Sequence, residues 1–89
     1  MTKQVNENQE HKLAYSTEEV AYHLSTNPHR IHLLRECGAL VGIKNGNKFI
    51  FSRKELDRFL EDFQGYDLAT ETDIKLAVAD VKRQKARKT

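Results

Sequence analysis

The 89 residues contain one cysteine, one proline and four glycines, and no long apolar run. A lone cysteine forms no internal disulfide, which fits a reducing cytoplasm. Crossing a bilayer takes about twenty consecutive apolar residues. The chain has no such stretch, so no membrane partner is expected. Met1-Thr2-Lys3-Gln4 lacks the apolar segment of a secretory leader, and a cytoplasmic protein is the expectation. The glycines mark turns or element ends and build no phosphate-cradling loop. Glu18 and Glu19 are adjacent, so on a helix they point to different sides and make no catalytic carboxylate pair. His29, His32 and Cys37 lack the paired spacing of a zinc site. The sequence therefore offers no residues for catalysis, no metal site and no cofactor, and binding is the class of function left.

What is present is one small domain with a single modest core. Residues 1–12 are polar and read as a disordered N-terminal arm. Ser16 followed by Glu19 is a capping box, with Tyr15 and Val20 as its hydrophobic staple. It opens a short helix that runs to about Leu24, with Val20, Ala21 and Leu24 on one face. Ser25-Thr26-Asn27-Pro28 is a tight turn into a second helix, capped by Asn27, started by Pro28 and ended by Gly38. On this helix Ile31, Leu33, Leu34 and Cys37 share an apolar arc, while His29, His32, Arg35 and Glu36 fall on the other side. Arg30 projects onto the apolar arc from the first turn, where it can reach past the edge of the core.

Asn45-Gly46 between two apolar runs signals a hairpin with a type I′ turn. That register pairs Lys44 with Asn47 and Ile43 with Lys48. Leu40, Phe49 and Phe51 then share one face, and Gly42 leaves room opposite Phe49. Ser52 and Glu55 repeat the capping box, and Leu56, Phe59, Leu60 and Phe63 form the apolar arc of a third helix that ends at Gly65. Residues 66–89 read as a separate piece. Thr70 or Thr72 caps a fourth helix with a narrow stripe of Ile74, Ala77, Val78 and Val81, fraying into a basic tail.

The net charge is only +2, so its distribution matters more than its sum. From Pro28 to Lys54 there are six bases, Arg30, Arg35, Lys44, Lys48, Arg53 and Lys54, against the single acid Glu36, a local charge of +5. Helix 1 offers Glu18 and Glu19, and helix 3 offers Glu55, Asp57, Glu61 and Asp62 against Arg58. The middle of the domain is basic and its flanks are acidic. Neutralising phosphates releases counterions, which supplies most non-specific DNA affinity. Bases on a turn-helix and a hairpin tip suit grooves.

Tyr15-Ser16-Thr17-Glu18-Glu19-Val20-Ala21, Asn27-Pro28-His29-Arg30-Ile31, Gly38-Ala39-Leu40, the basic hairpin and Ser52-Arg53-Lys54-Glu55-Leu56 together resemble the excisionase-type winged helix-turn-helix. They are also similar to the DNA-binding head of the mercury-resistance-regulator (MerR) class. The resemblance covers about residues 13–63, within a DNA-binding domain of residues 13–65, and implies a nucleoid-associated protein of α+β, mostly helical fold: helix-turn-helix, β-hairpin wing and helix, followed by a C-terminal helix. It implies a small phage or mobile-element protein that binds double-stranded DNA, as an excisionase-like architectural factor with a recombinase partner or as a transcription regulator. The DNA-binding residues it implies are Thr26, Asn27, His29, Arg30, His32 and Arg35 on the recognition helix, Lys44, Asn45, Asn47 and Lys48 at the wing tip, and Arg53 just after it. Arg35 departs from a position that is often apolar, and the two histidines replace more usual Arg, Ser or Tyr. The stripe of Ile74, Val78 and Val81 offers a surface for self-association. A small terminase-like DNA-packaging subunit is the alternative, and a protein-interaction module on the same architecture is a third.

Overall fold

The computed structural model describes residues 12–88. The arm expected over residues 1–12 lies, apart from Lys12, outside the described residues. Tyr15 and its neighbours form a short strand, β1 (Ala14–Ser16), which the sequence reading did not anticipate. Ser16 then caps α1 (Thr17–His23): its hydroxyl accepts from the Glu19 amide at 3.1 Å, and Glu19 accepts from the Ser16 amide at 2.8 Å. α1 ends in a left-handed residue, Ser25, at φ 58°. The Thr26 amide donates to the Ala21 carbonyl and the Ser25 amide to the Tyr22 carbonyl, the paired bonds of a Schellman motif. A serine thus holds a position that glycine usually fills.

α2 (Pro28–Glu36) starts as its sequence dictates, with Asn27 Oδ1 accepting from the Arg30 amide at 3.0 Å and Pro28 in the first turn. It ends in a second Schellman motif. Gly38, at φ 87°, donates to Arg35, and Ala39 donates to Leu34. β2 (Ile43–Asn45) and β3 (Lys48–Ser52) form the hairpin, and β1 adds to the far side of β3, giving an antiparallel sheet of order β1-β3-β2.

The hairpin register corrects the expectation. Asn45 pairs with Lys48, Lys44 with Phe49 and Ile43 with Ile50, so Gly46 and Asn47 are the central turn residues. Gly46 has φ 68°, whereas Asn47 is not left-handed. This is the φ pattern of a type II′ turn, which needs glycine only at its first central position, rather than of type I′. The shift is two residues, so side chains keep their faces. Phe49 and Phe51 still face inward together, and Gly42 makes the room expected of it. A Cβ there would stand 3.0 Å from Phe51 and 3.2 Å from Phe49. At Gly46 a Cβ meets nothing, so only the backbone penalty applies. Gly46→Ala is therefore expected to cost about 1–2 kcal/mol, seen as a lower melting temperature; an unchanged melt would mean that the turn rearranges freely.

α3 (Arg53–Asp62) is capped by Ser52, whose hydroxyl accepts from the Glu55 amide at 3.0 Å. The reciprocal half of the expected box is replaced. Glu55 instead accepts from the Val41 amide at 2.8 Å and pairs with Arg58. Phe59 and Phe63 are buried and Leu56 is half-buried, but Leu60 is 49% exposed, against the expectation that all four face the core.

α4 (Glu71–Lys88) is not a separate piece. Thr70 caps it, accepting from the Asp73 amide at 3.1 Å. Ile74, Ala77, Val78 and Val81 are buried in one core with Val20, Ala21, Ile31, Leu34, Ala39, Leu40, Phe51, Phe59 and Phe63. The stripe expected to serve self-association is thus covered by the protein's own helices. Helical geometry continues through Lys88 instead of fraying. Tyr66 donates to Asp80, and Lys85 reaches Asp62 at 2.6 Å, tying α4 to the end of α3. Four helices and a three-stranded sheet therefore share one core. No helix among the described residues is long and apolar enough to cross a membrane.

Candidate nucleic-acid interface

Burial of Ile31 and Leu34 fixes the rotation of α2. Pro28, His29, His32 and Glu36 then face solvent, as do Thr26 and Asn27 before them. At the hairpin tip Lys44, Asn45, Asn47 and Lys48 are all exposed, and so are Arg53 and Lys54 at the start of α3. His32 and the tip residues Asn47 and Lys48 line one shallow cleft of about 250 Å³, closed by Ser16, Thr17, Glu18 and Phe49. The fold thus brings α2 and the hairpin, separated in sequence, to one surface. Glu18 sets an acid in that cleft, a neighbour which the sequence reading assigned to the acidic flank.

Neither arginine of α2 lines that cleft. Arg30 turns away from the hairpin and donates through Nη1 to the Ala69 carbonyl at 2.7 Å and through Nη2 to the Leu68 carbonyl. Its projection onto the apolar arc is explained by this reach over the core edge to the α3–α4 connection. Thr26 and Arg30 line a groove with Leu24, Leu34, Phe59, Leu60 and Leu68, on the α3 side of α2. Arg35 lies over Phe49, with its guanidinium carbon 3.9 Å from the ring centroid. Arg53 borders a further groove with Tyr15, His23 and Leu56. Of the eleven expected contact residues, the structure joins His32, Asn47 and Lys48 in one cleft, places Arg35 between helix and hairpin, and sends Arg30 to the opposite side. Phe49 was missed as a partner. The signal that could have found it is Gly42, because the missing side chain there makes the space that Arg35 and Phe49 share.

Two of the acids of α3, Glu55 and Asp62, are neutralised within the domain. Arg58 bridges Glu55 and Asp62 and donates to the Ala39 carbonyl at 2.8 Å. Burial pushes the Glu55 carboxyl up, but hydrogen bonds from Arg58 and the Val41 amide outweigh it and hold the group below its ordinary range. Asp62 is also held low, by Lys85 first and, against burial, by Arg58. The exposed bases of the hairpin therefore do not have these carboxylates as partners.

Cys37 is half-buried at the end of α2. Among the described residues no group of three His, Cys, Asp or Glu side chains stands close enough together to hold a metal ion. The chain matches no family model, no curated protein and no solved structure.

Proposed function

We propose that the protein binds double-stranded DNA as a winged helix-turn-helix, with α1 and α2 as the helix pair and β2–β3 as the wing. The observation that carries the reading is the cleft shared by His32 on α2 with Asn47 and Lys48 on the hairpin, beside the exposed His29 at the start of α2. It lies within the segment of local charge +5. An exposed helix face beside an exposed basic hairpin suits a groove and its flanking backbone. In this reading His29, His32 and Asn27 approach base edges, although Asn27 is already engaged in capping. Lys44 and Lys48 hold phosphate, giving register more than sequence. Arg30 serves the packing of residues 68 and 69 and leaves the list of base readers.

An excisionase-like architectural role beside a recombinase and a role as transcription regulator use this same surface. Bending twenty to thirty base pairs costs several kcal/mol, so bending by one small domain is weak without neighbouring copies. A packaging subunit assembled through Ile74, Val78 and Val81 has less support, since these side chains lie in the core.

Selection of preferred duplexes from a random pool tests the proposal; failure to retain any duplex at low salt would refute it. With a selected duplex, Lys48→Ala is expected to weaken binding about tenfold on related and unrelated sequences alike and to flatten the salt dependence by about one phosphate contact. A changed preference at a single base position would instead make Lys48 a base reader.

A further inference from the structure

Arg35 is an unusual residue for the place that it occupies. It lies on the side of α2 that faces the hairpin, and its side chain is only 23% exposed. Its guanidinium carbon stands 3.9 Å from the Phe49 centroid, at stacking distance. Its Nε is buried and has no hydrogen-bond partner among the described residues. Its Cδ passes 3.3 Å from where a Gly42 Cβ would stand, so the arginine stem, the two phenylalanines of β3 and the glycine backbone share one tight space. The nearest carboxylate, Glu36, is 4.0 Å from Nη2, which is a loose pair.

A side chain held in this way bridges two elements. Phe49 pairs with Lys44 across the hairpin and lines the cleft with His32, Asn47 and Lys48. Whatever holds Phe49 also fixes where the wing tip stands relative to His32. The β-ladder ties the hairpin to β1, but on the α2 side its position depends on side-chain packing.

We infer that Arg35 is a positioning residue: it braces the wing against α2 through Phe49, and so sets the spacing between the two parts of the DNA-facing surface without touching DNA. This rests on the DNA-binding reading of α2 and the hairpin. It replaces the expectation that Arg35 is one of the residues that contact DNA directly.

Three variants of the full chain separate bracing from contact. Arg35→Met keeps an apolar stem and removes the flat cation; Arg35→Lys keeps the charge but cannot stack as a plane; Phe49→Leu removes the ring. Each is expected to weaken binding to a selected duplex on the order of tenfold. The double variant Arg35→Met/Phe49→Leu should lose no more than either single one, because both remove the same contact. Lys48→Ala should likewise have little further effect in the Arg35→Met background. Restoration of binding by Arg35→Lys, or multiplying losses in the double variant, would overturn the inference and make Arg35 a direct contact. A DNA-free measurement stands beside these. Residual dipolar couplings of the hairpin amides relative to α2 should change in Arg35→Met while the melting transition stays cooperative. Unchanged couplings would overturn the brace even if no duplex is bound, and changed couplings without DNA binding would remove the functional reading alone.

Discussion

Ending the chain after Gly65 is expected to leave a polypeptide that does not fold, even though residues 13–65 hold α1 to α3 and all three strands. The cause is the core. Ile74 is fully buried, and Ala77, Val78 and Val81 are at most 9% exposed, packed in one cluster with Val20, Ile31, Leu34 and Phe59. Burying a Val or Ile side chain contributes about 1.5–3 kcal/mol. Three such residues and an alanine approach the whole net stability of a small domain, about 5–10 kcal/mol. The truncation also removes the Ala69 and Leu68 carbonyls that accept from Arg30, and the Lys85 partner of Asp62. Far-ultraviolet circular dichroism on heating is the measurement. A cooperative melt within a few degrees of the full chain would place residues 66–88 outside the folding unit. A pair of point variants sharpens the test on the intact chain: Ile74→Ala should cost about 2–5 kcal/mol. Leu76→Ala, two residues on and 64% exposed, should cost little.

The outcome at α4 illustrates what the sequence makes legible. Cap chemistry is local, and most of it was readable residue by residue, the Glu55 half of the second capping box being drawn away by Val41 and Arg58. Ser16 with Glu19, Asn27 with Pro28, and Gly38 each do what their spacing implies. Contacts between distant residues were not readable. Arg30 finds carbonyls 38 and 39 residues away, and Arg35 finds a ring on the other side of Gly42. A helical projection tells which way a side chain points, not what waits there. The three-residue β1 gives no pattern of its own, because two or three alternations carry no period. At the hairpin tip the dipeptide Asn45-Gly46 signalled a turn correctly, but one glycine serves a type I′ or a type II′ turn, and pairing along the whole ladder chooses.

Leu60 shows the same limit on α3. Its apolar arc spans Leu56, Phe59, Leu60 and Phe63, which is broader than the contact available. On the opposite edge of the arc lie Glu55, Arg58 and Asp62. The packing of α4, with Lys85 on Asp62, rotates coverage toward that charged edge. Side-chain exposure of Glu55 and Asp62 is accordingly only 14% and 16%, while Leu60 is left 49% exposed. The candidate site was legible in the same uneven way. Its exposed members, His29, His32, Asn47 and Lys48, follow from amphipathic rotation and turn position. The two arginines that looked most like DNA contacts are engaged by the protein itself.

Replacing Arg58 by methionine is expected to be the most damaging single change of a charged residue. The guanidinium joins Glu55 to Asp62 within α3 and also donates to the Ala39 carbonyl at 2.8 Å, pinning the segment after α2 to α3. Methionine keeps most of the stem but leaves two covered carboxylates without their shared cation. Breaking a fully buried pair costs about 3–5 kcal/mol, and an exposed pair is worth at most about 1 kcal/mol. With the Arg58 side chain 32% exposed, an intermediate loss of about 2–3 kcal/mol is expected. For a domain of this size that lowers the melting temperature by roughly 10–20 °C. The pH dependence identifies the charge component. In the native protein Glu55 and Asp62 are held below their ordinary values, so each contributes stability that is present above the unfolded carboxylate range and is lost as pH falls through the folded value. Without Arg58 the covered Glu55 carboxylate loses its cation, which favours its protonation, while Asp62 keeps Lys85; acid therefore relieves the loss mainly at Glu55. The gap in melting temperature between the native protein and Arg58→Met should therefore be widest near neutral pH. It should narrow as pH falls through about 4, the range in which free carboxylates titrate. A gap that stays constant from neutral pH to pH of about 3 would assign the loss to packing and the Ala39 carbonyl rather than to the carboxylates.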